Sequence, residues 1–267
     1  MTLRIGAVSY LNAKPLVFGL DAQPDQFDVR FDVPAKCAEL LHSGDVDLGL
    51  IPAIEYLRGG PYAIVPNVAI ASDGAVATVA VFTRVPIGDV RTLALDLSSR
   101  TSVALTRILC AKHWHIHPEF TPAEPALDAM LARADAALVI GDPAFEIDAE
   151  KIGVRKLDLG AEWKAMTGLP FVYAMWVGRP DALSAQQCGA LQHAGKDGVA
   201  HLQTIAREWA AGDAARERRA LAYLRDNLKY DLGARERAGL QRFHELAAEI
   251  GVVPGLQPLR FYESDRA

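Results

Sequence analysis

The chain has 267 residues, 51% of them hydrophobic, and a formal net charge of −5. That length can bury one large core or two modest ones. The interspersed acids and bases exclude the broad basic face of a nucleic-acid binder, although an acidic protein can still hold an anion at a locally positive site. Cys37, Cys110 and Cys188 lie far apart and form no CxxC pair. An odd, scattered set argues against a disulfide framework and for a reducing, cytoplasmic setting. The first residues lack the basic start, apolar stretch and cleavage site of a signal peptide. No apolar run reaches the roughly 18 residues of a membrane span, so no membrane partner is expected.

The first third alternates strand and helix. Strands are expected over Leu3–Ser9, Asp28–Val33 and Val46–Ile51, and helices over Ala13–Leu20, Pro34–His42 and Pro52–Leu57. Pro15 sits in a first helical turn, where its missing N–H does no harm. Gly44 stands where a left-handed helix cap is needed. Strands alternating with helices imply a parallel sheet covered on both faces. Long β-branched runs then follow at Ala63–Ser72 and Val76–Thr83.

After Val85-Pro-Ile-Gly-Asp89 the alternation restarts. Strands are expected at Thr92–Asp96, Ala136–Ile140, Val154–Leu159 and Phe171–Val177. Helices are expected at Ser99–Trp114, Pro125–Ala134, Pro143–Asp148 and Ala161–Thr167. From Ala182 to Ile250 the chain reads almost wholly as helix. The expectation is an α/β protein of two lobes, 1–84 with 180–267 and 85–179, joined by crossings near Val85 and Arg179 and finished by a helical tail. Ligands of such sheets sit outside the carboxyl ends of the strands, here between the lobes.

Several residues fall at those strand ends. Asn12 follows the first strand, with Ser9 and Tyr10 just before it. Its amide can donate and accept, but it also suits a plain N-cap. Asp96-Leu-Ser-Ser-Arg-Thr-Ser102 is the corresponding turn of the second lobe. Free N–H groups at a helix start attract carboxylate or phosphate, and Ser98, Ser99, Thr101 and Ser102 add hydroxyls while Arg100 adds charge. A cap needs only one of them. Ser72 precedes Asp73-Gly74 and either faces the cleft or shapes a turn. Asp142-Pro143 is either a cap or a cleft contact. His113, His115 and His117 read as residues past a helix C-terminus rather than a metal site, since no acidic or cysteine ligand lies nearby in sequence. No metal or cofactor is expected. GxGxxG, Walker, HExxH and GxSxG patterns are absent.

In order along the chain stand SYLNAKPL, GDVDLGLIPAIEYL, SDGAVATVAVFTRVP, LALDLSSRTSVALTRILC, VIGDPA and LGAEWKAMTGLPFVYAMW. Together, from about Arg4 to about Trp176, they resemble the chorismate dehydratase family of the futalosine route to menaquinone. The resemblance implies a type II periplasmic-binding-protein-like fold in a cytosolic enzyme that takes chorismate to 3-[(1-carboxyvinyl)oxy]benzoate and water. It implies that the substrate's own enolpyruvyl carboxylate is the base. Asn12 would hold the substrate and its leaving hydroxyl, Ser72 a substrate oxygen, and the Ser99–Ser102 turn a carboxylate, with Asp142 as an alternative base. Asp73 and Ala75 stand where the family more often has glycine and proline. Two other readings remain open at this point: a non-catalytic solute receptor, and the sister enzyme that makes 1,4-dihydroxy-6-naphthoate. That sister starts with an SPCPND-like segment rather than SYLNAKPL. The chain is compatible with a monomer or a homodimer.

Overall fold

A computed structural model describes residues 2–263. In the first lobe, β1 (Leu3–Val8) lies between β2 (Phe27–Asp32) and β3 (Leu48–Pro52), parallel to both, with α1 (Pro34–Ser43) on one face. Gly44 closes α1 at φ 80°. The segment after β1 forms a 3₁₀ turn, Leu11–Val17, and Ala53–Leu57 forms another after β3. The Ala63–Ser72 run is broken into β4 (Ala63–Ile64) and β5 (Ile70–Ser72). Between them Pro66 cannot donate to a ladder, and Asn67 turns the chain at φ 65°.

The second lobe begins one strand earlier than the sequence suggests. β6 (Val79–Thr83) joins the second sheet, with β7 (Thr92–Asp96), β8 (Glu119–Ala123), β9 (Ala136–Ile140) and β10 (Arg155–Asp158) in the order β10-β6-β9-β7-β8. The helices of this lobe are α2 (Arg100–Lys112), α3 (Leu127–Leu131), α4 (Gly141–Glu146) and α5 (Leu159–Thr167). β11 (Phe171–Gly178) then returns to the first sheet, antiparallel to β3, β4 and β5. The passages between sheets therefore lie at 73–78 and 159–170, not at Val85 and Arg179. The physical reason is burial. β6 and β11 are buried along their whole length, and each finds antiparallel partners on both sides in the sheet it joins, which satisfies its backbone groups. The strand β8 is absent from the sequence reading. It is a half-exposed edge strand holding Pro122, and edge strands tolerate proline and need little apolar pattern. His113, past the end of α2, meets Glu162 Oε2 at 3.1 Å.

The tail is α6 (Ala185–Ala200), α7 (Leu202–Ala210), α8 (Ala214–Ala222), a π-helical turn at Tyr223–Asn227 and α9 (Ala234–Glu249). α6 packs on the Leu11–Val17 turn so closely that a Cβ at Gly198 would stand 2.0 Å from the Pro15 carbonyl oxygen. α7 and α8 reach the second lobe: the Trp209 indole donates to Asp142, and Arg216 pairs with Glu146 at 3.0 Å.

The lobes are also stitched directly. Glu55, 1% exposed in the first lobe, is held by His42 (3.0 Å), Arg58 (2.9 Å) and, from the second lobe, Arg100 (3.0 Å). Burial pushes its carboxyl pKa up, but those three partners outweigh it and bring the pKa down to about 2. Thr101 Oγ1 accepts the Ile54 N–H at 3.1 Å, and the Ser98 carbonyl accepts the Ala35 N–H at 2.9 Å.

Gly198→Ala is expected to destabilise the protein by about 1–3 kcal/mol, the usual cost of overpacking, read as a lowered midpoint in urea. Folded Glu55 stays ionised down to about pH 2, whereas its ordinary value is 4.5. Its contribution is therefore complete above pH 4.5 and drains away as the pH falls toward about 2. Glu55→Gln should flatten that acid limb, a difference on the order of 3 kcal/mol; equal slopes in urea titrations between pH 5 and 2.5 would refute the assignment.

Candidate active site between the lobes

A cavity of about 30 Å³ lies where the carboxyl ends of β1, β3 and β9 meet the start of α2. Its polar lining is Tyr10, Asn12, Ser99, Ser102 and Tyr173; Val8, Pro52, Ile70, Val79 and Ile140 are among its apolar walls. Wider grooves exist, one of about 690 Å³ beside Thr121 and Arg133 on the second lobe. The interlobe cavity gathers side chains from both sheets at their strand ends, the position at which open α/β sheets take ligands.

Asn12 comes from the 3₁₀ turn that β1 runs into, so it serves as no helix N-cap; the residue before that turn is Tyr10, whose side chain makes no cap bond. Asn12 Oδ1 is buried and has no hydrogen-bond partner. A buried acceptor left unmade costs about 1–3 kcal/mol; of the buried polar side-chain atoms without a partner among the described residues, those of Asn12, Trp176 and Tyr230, only the Asn12 oxygen belongs to a residue lining this cavity. Tyr10 arches over the cavity with its hydroxyl 3.4 Å from Ser98 Oγ. The ring can lie there because Gly141, at φ 66°, carries no Cβ: one added would stand 2.7 Å from it.

The Asp96–Ser102 turn divides its labour. Ser99 is the N-cap of α2: its Oγ accepts the Ser102 N–H (3.5 Å) and the Ser102 hydroxyl (3.0 Å). These two serines face the cavity, in front of first-turn N–H groups that have no intrahelical acceptor. Arg100, expected to add charge to the cleft, instead bridges Glu55 and Glu39 (2.9 Å). Thr101 and Ser98 serve the interlobe bonds described above rather than the cavity. Asp96 is buried beneath the turn, its pKa raised by burial, and accepts the Ser98 N–H at 2.9 Å. Ser9 is exposed and bonds Asp32 through its backbone N–H.

Ser72 is 1% exposed and stands one layer behind the cavity. Its hydroxyl donates to the Gly74 carbonyl (2.9 Å), so the Tyr173 hydroxyl, 3.0 Å away, must be the donor to Ser72 Oγ. Tyr173, unforeseen from the sequence, is the group that reaches the cavity wall. Burial raises its pKa well above the usual phenol value, so it remains a neutral phenol. Asp142 is not a free base. One carboxylate oxygen accepts the Leu11 N–H (3.0 Å) and the other the Trp209 indole N–H (3.2 Å), while burial raises its pKa. No signal in the local sequence ties Tyr173 or Trp209 to Asn12, since 161 and 197 residues separate them.

A family model described as menaquinone biosynthesis matches residues 3–249. The chorismate dehydratase of Thermus thermophilus is 30% identical over 262 residues, covering 90% of this chain and 93% of that one. A solved protein of Archaeoglobus fulgidus superposes with a TM-score of 0.74 at 17% identity, covering 94% of this chain and 98% of that one. The periplasmic aliphatic sulphonate binding protein of Escherichia coli does so with a TM-score of 0.64 at 18% identity, covering 95% and 94%. The two-lobed α/β architecture is thus periplasmic-binding-protein-like, and by its full-length match the chain belongs to the menaquinone biosynthesis family.

Proposed function

We infer that this protein is a chorismate dehydratase, a hydro-lyase of menaquinone biosynthesis acting in the cytoplasm. The observation that carries the reading is the full-length relationship to the Thermus enzyme. Two features of the site support it: a cavity lining free of His, Lys and carboxylate, and an orphaned Asn12 acceptor within it. No described helix is long and apolar enough to cross a membrane.

Chorismate is a dianion with a ring hydroxyl. Its dehydration breaks the C3–H and C4–O bonds, forms the C3–C4 double bond and leaves an aromatic ring and water. Negative charge developing at C3 spreads through the conjugated diene into the ring carboxylate. The start of α2, with Ser99 and Ser102, offers dipoles to that carboxylate, where preorganised donors act most strongly. Asn12 holds the C4 hydroxyl. Tyr173, its proton given to Ser72, presents its ring edge and an accepting phenol oxygen to the substrate. With both oxygens of Asp142 engaged, the enolpyruvyl carboxylate takes the C3 proton, and the departing hydroxide recovers a proton to leave as water. These neutral side chains are orienters, and orientation alone can supply a large part of a barrier reduction.

A cavity of about 30 Å³ is far smaller than the several hundred Å³ of ligand sites. Substrate therefore enters an opened form, in which the Arg100–Glu55 and Leu11–Asp142 contacts are parted, and closure then excludes water.

Purified protein mixed with chorismate should produce the aromatic product, followed in the ultraviolet. Stoichiometric binding without turnover would make it a solute receptor, and turnover only of the later cyclic intermediate would make it the sister enzyme. Asn12→Ala should lower turnover by about ten- to a thousandfold, the range for one oriented polar contact, with the melting temperature moved by only a few degrees. Tyr173→Phe should raise KM or lower kcat more than Ser72→Ala does, because Ser72 acts through it; the reverse ranking would return the substrate contact to Ser72.

A further inference from the structure

Asp142 stands at the start of α4 and faces two ways at once. Its Oδ1 accepts the Leu11 N–H at 3.0 Å, and its Oδ2 accepts the Trp209 indole N–H at 3.2 Å. Leu11 opens the 3₁₀ turn that carries Asn12, and the residue before that turn, Tyr10, supplies no side-chain cap. First-turn N–H groups have no intrahelical acceptor. The cap for the turn of Asn12 therefore comes from the opposite lobe, across the cleft.

A half-buried carboxylate held by one bond can swing away from it into water. Trp209, on α7, removes that freedom, and it is itself held on two sides. The Arg216 guanidinium lies over the indole face, 3.7 Å from the ring centroid, and Arg216 is paired with Glu146 at 3.0 Å. Phe145 packs edge-to-face against the indole, with centroids 5.6 Å apart at 76°. Phe145 and Glu146 belong to α4, as Asp142 does. The indole is thus fastened to the same element whose carboxylate it orients. Its chemistry suits the task. A guanidinium would take both carboxylate oxygens in a fork, whereas an indole has one donor and no acceptor. It satisfies one oxygen and leaves the other for Leu11.

We propose that Trp209, delivered by the tail, is a positioning residue: by holding one oxygen of Asp142 it aims the other at the Leu11 N–H, and so sets how firmly the lobes close on the turn that presents Asn12. This rests on the reading of the site given above. Neither Trp209 nor Asp142 lines the cavity. Losing the indole N–H therefore weakens the closed form and leaves the groups around the substrate as they were. Apparent affinity falls with the population of the competent form, while the chemical step within that form keeps its rate.

Trp209→Phe keeps a ring for Arg216 and Phe145 and removes the N–H. In the full chain with chorismate, KM should rise about three- to tenfold, the worth of roughly one hydrogen bond, with kcat within about twofold. Asp142→Asn should raise KM more, because its amide has one oxygen for two N–H donors and turns an NH2 toward one of them. Adding Trp209→Phe to Asp142→Asn removes that donor-to-donor conflict and should recover part of the KM, a reversal of sign that lost packing does not produce. Hydrogen exchange of the Leu11 amide, which needs no substrate, should quicken about three- to tenfold in Trp209→Phe while the β1 amides stay unchanged. Wild-type KM in Trp209→Phe, a loss confined to kcat, or an equal further rise of KM in both backgrounds overturns the proposal. Failure of the wild-type protein to turn over chorismate overturns the dehydratase reading instead, and the Leu11 amide then decides: unchanged exchange in Trp209→Phe overturns the proposal. Should Trp209→Phe fold poorly, Asp142→Asn decides, and wild-type KM in that variant overturns the proposal.

Discussion

Asp142 belongs to one lobe, accepts a backbone N–H from the other and an indole N–H from the tail. The closed form of the molecule turns on that carboxylate. With Arg100 on Glu55 and Thr101 on the Ile54 N–H, it brings the strand ends of two separate sheets together and seals a small cavity between them. Each of these bonds involves groups that must otherwise be solvated. On the proposed reading these contacts are made in a closed state and hydrated in an open one. A hinged fold becomes an enzyme only if closing does something that opening undoes, and on the proposed reading closing removes water from around a carbanion-like centre.

The chemistry that remains inside is almost free of formal charge. The Glu55 cluster and Asp142 are placed at the seams, where charges hold lobes, and the cavity keeps an amide, serines, tyrosines and the start of a helix. Such a lining suits the proposed reaction, in which dipoles hold a dianion and leave the substrate's own carboxylate basic. A cation in the same place would pair with that carboxylate and lower its ability to take a proton. The same fold in solute-binding relatives needs only to hold its ligand; the difference lies in the site and not in the sheets.

The tail ties these features together. α6 props the turn carrying Asn12, α7 supplies Trp209 to Asp142, and the π turn brings the Tyr223 hydroxyl to Thr78. A segment that reads as a plain run of Ala, Leu, Arg and Glu supports the seam and the site at once.

How much was legible divides along the range of the forces involved. The alternation of β1, α1 and β3, the left-handed Gly44 and the β7–α2 turn are written in local pattern, because period, capping and turn chemistry act over a few residues. The buried runs Thr92–Asp96 and Ala136–Ile140 match the observed strands end to end for the same reason. Asn12, Ser99 and Ser102 were legible as cavity residues since a strand end fixes their place. Pairing is different. Nothing within Val79–Thr83 says which sheet will accept it, and nothing in Arg100 or Asp142 says that its partner is Glu55 or Trp209. Those choices depend on what the rest of the chain brings to hydrogen-bond distance, so only the folded molecule could decide that Arg100 is a seam residue, that Ser72 stands behind Tyr173, and that the tail reaches the site.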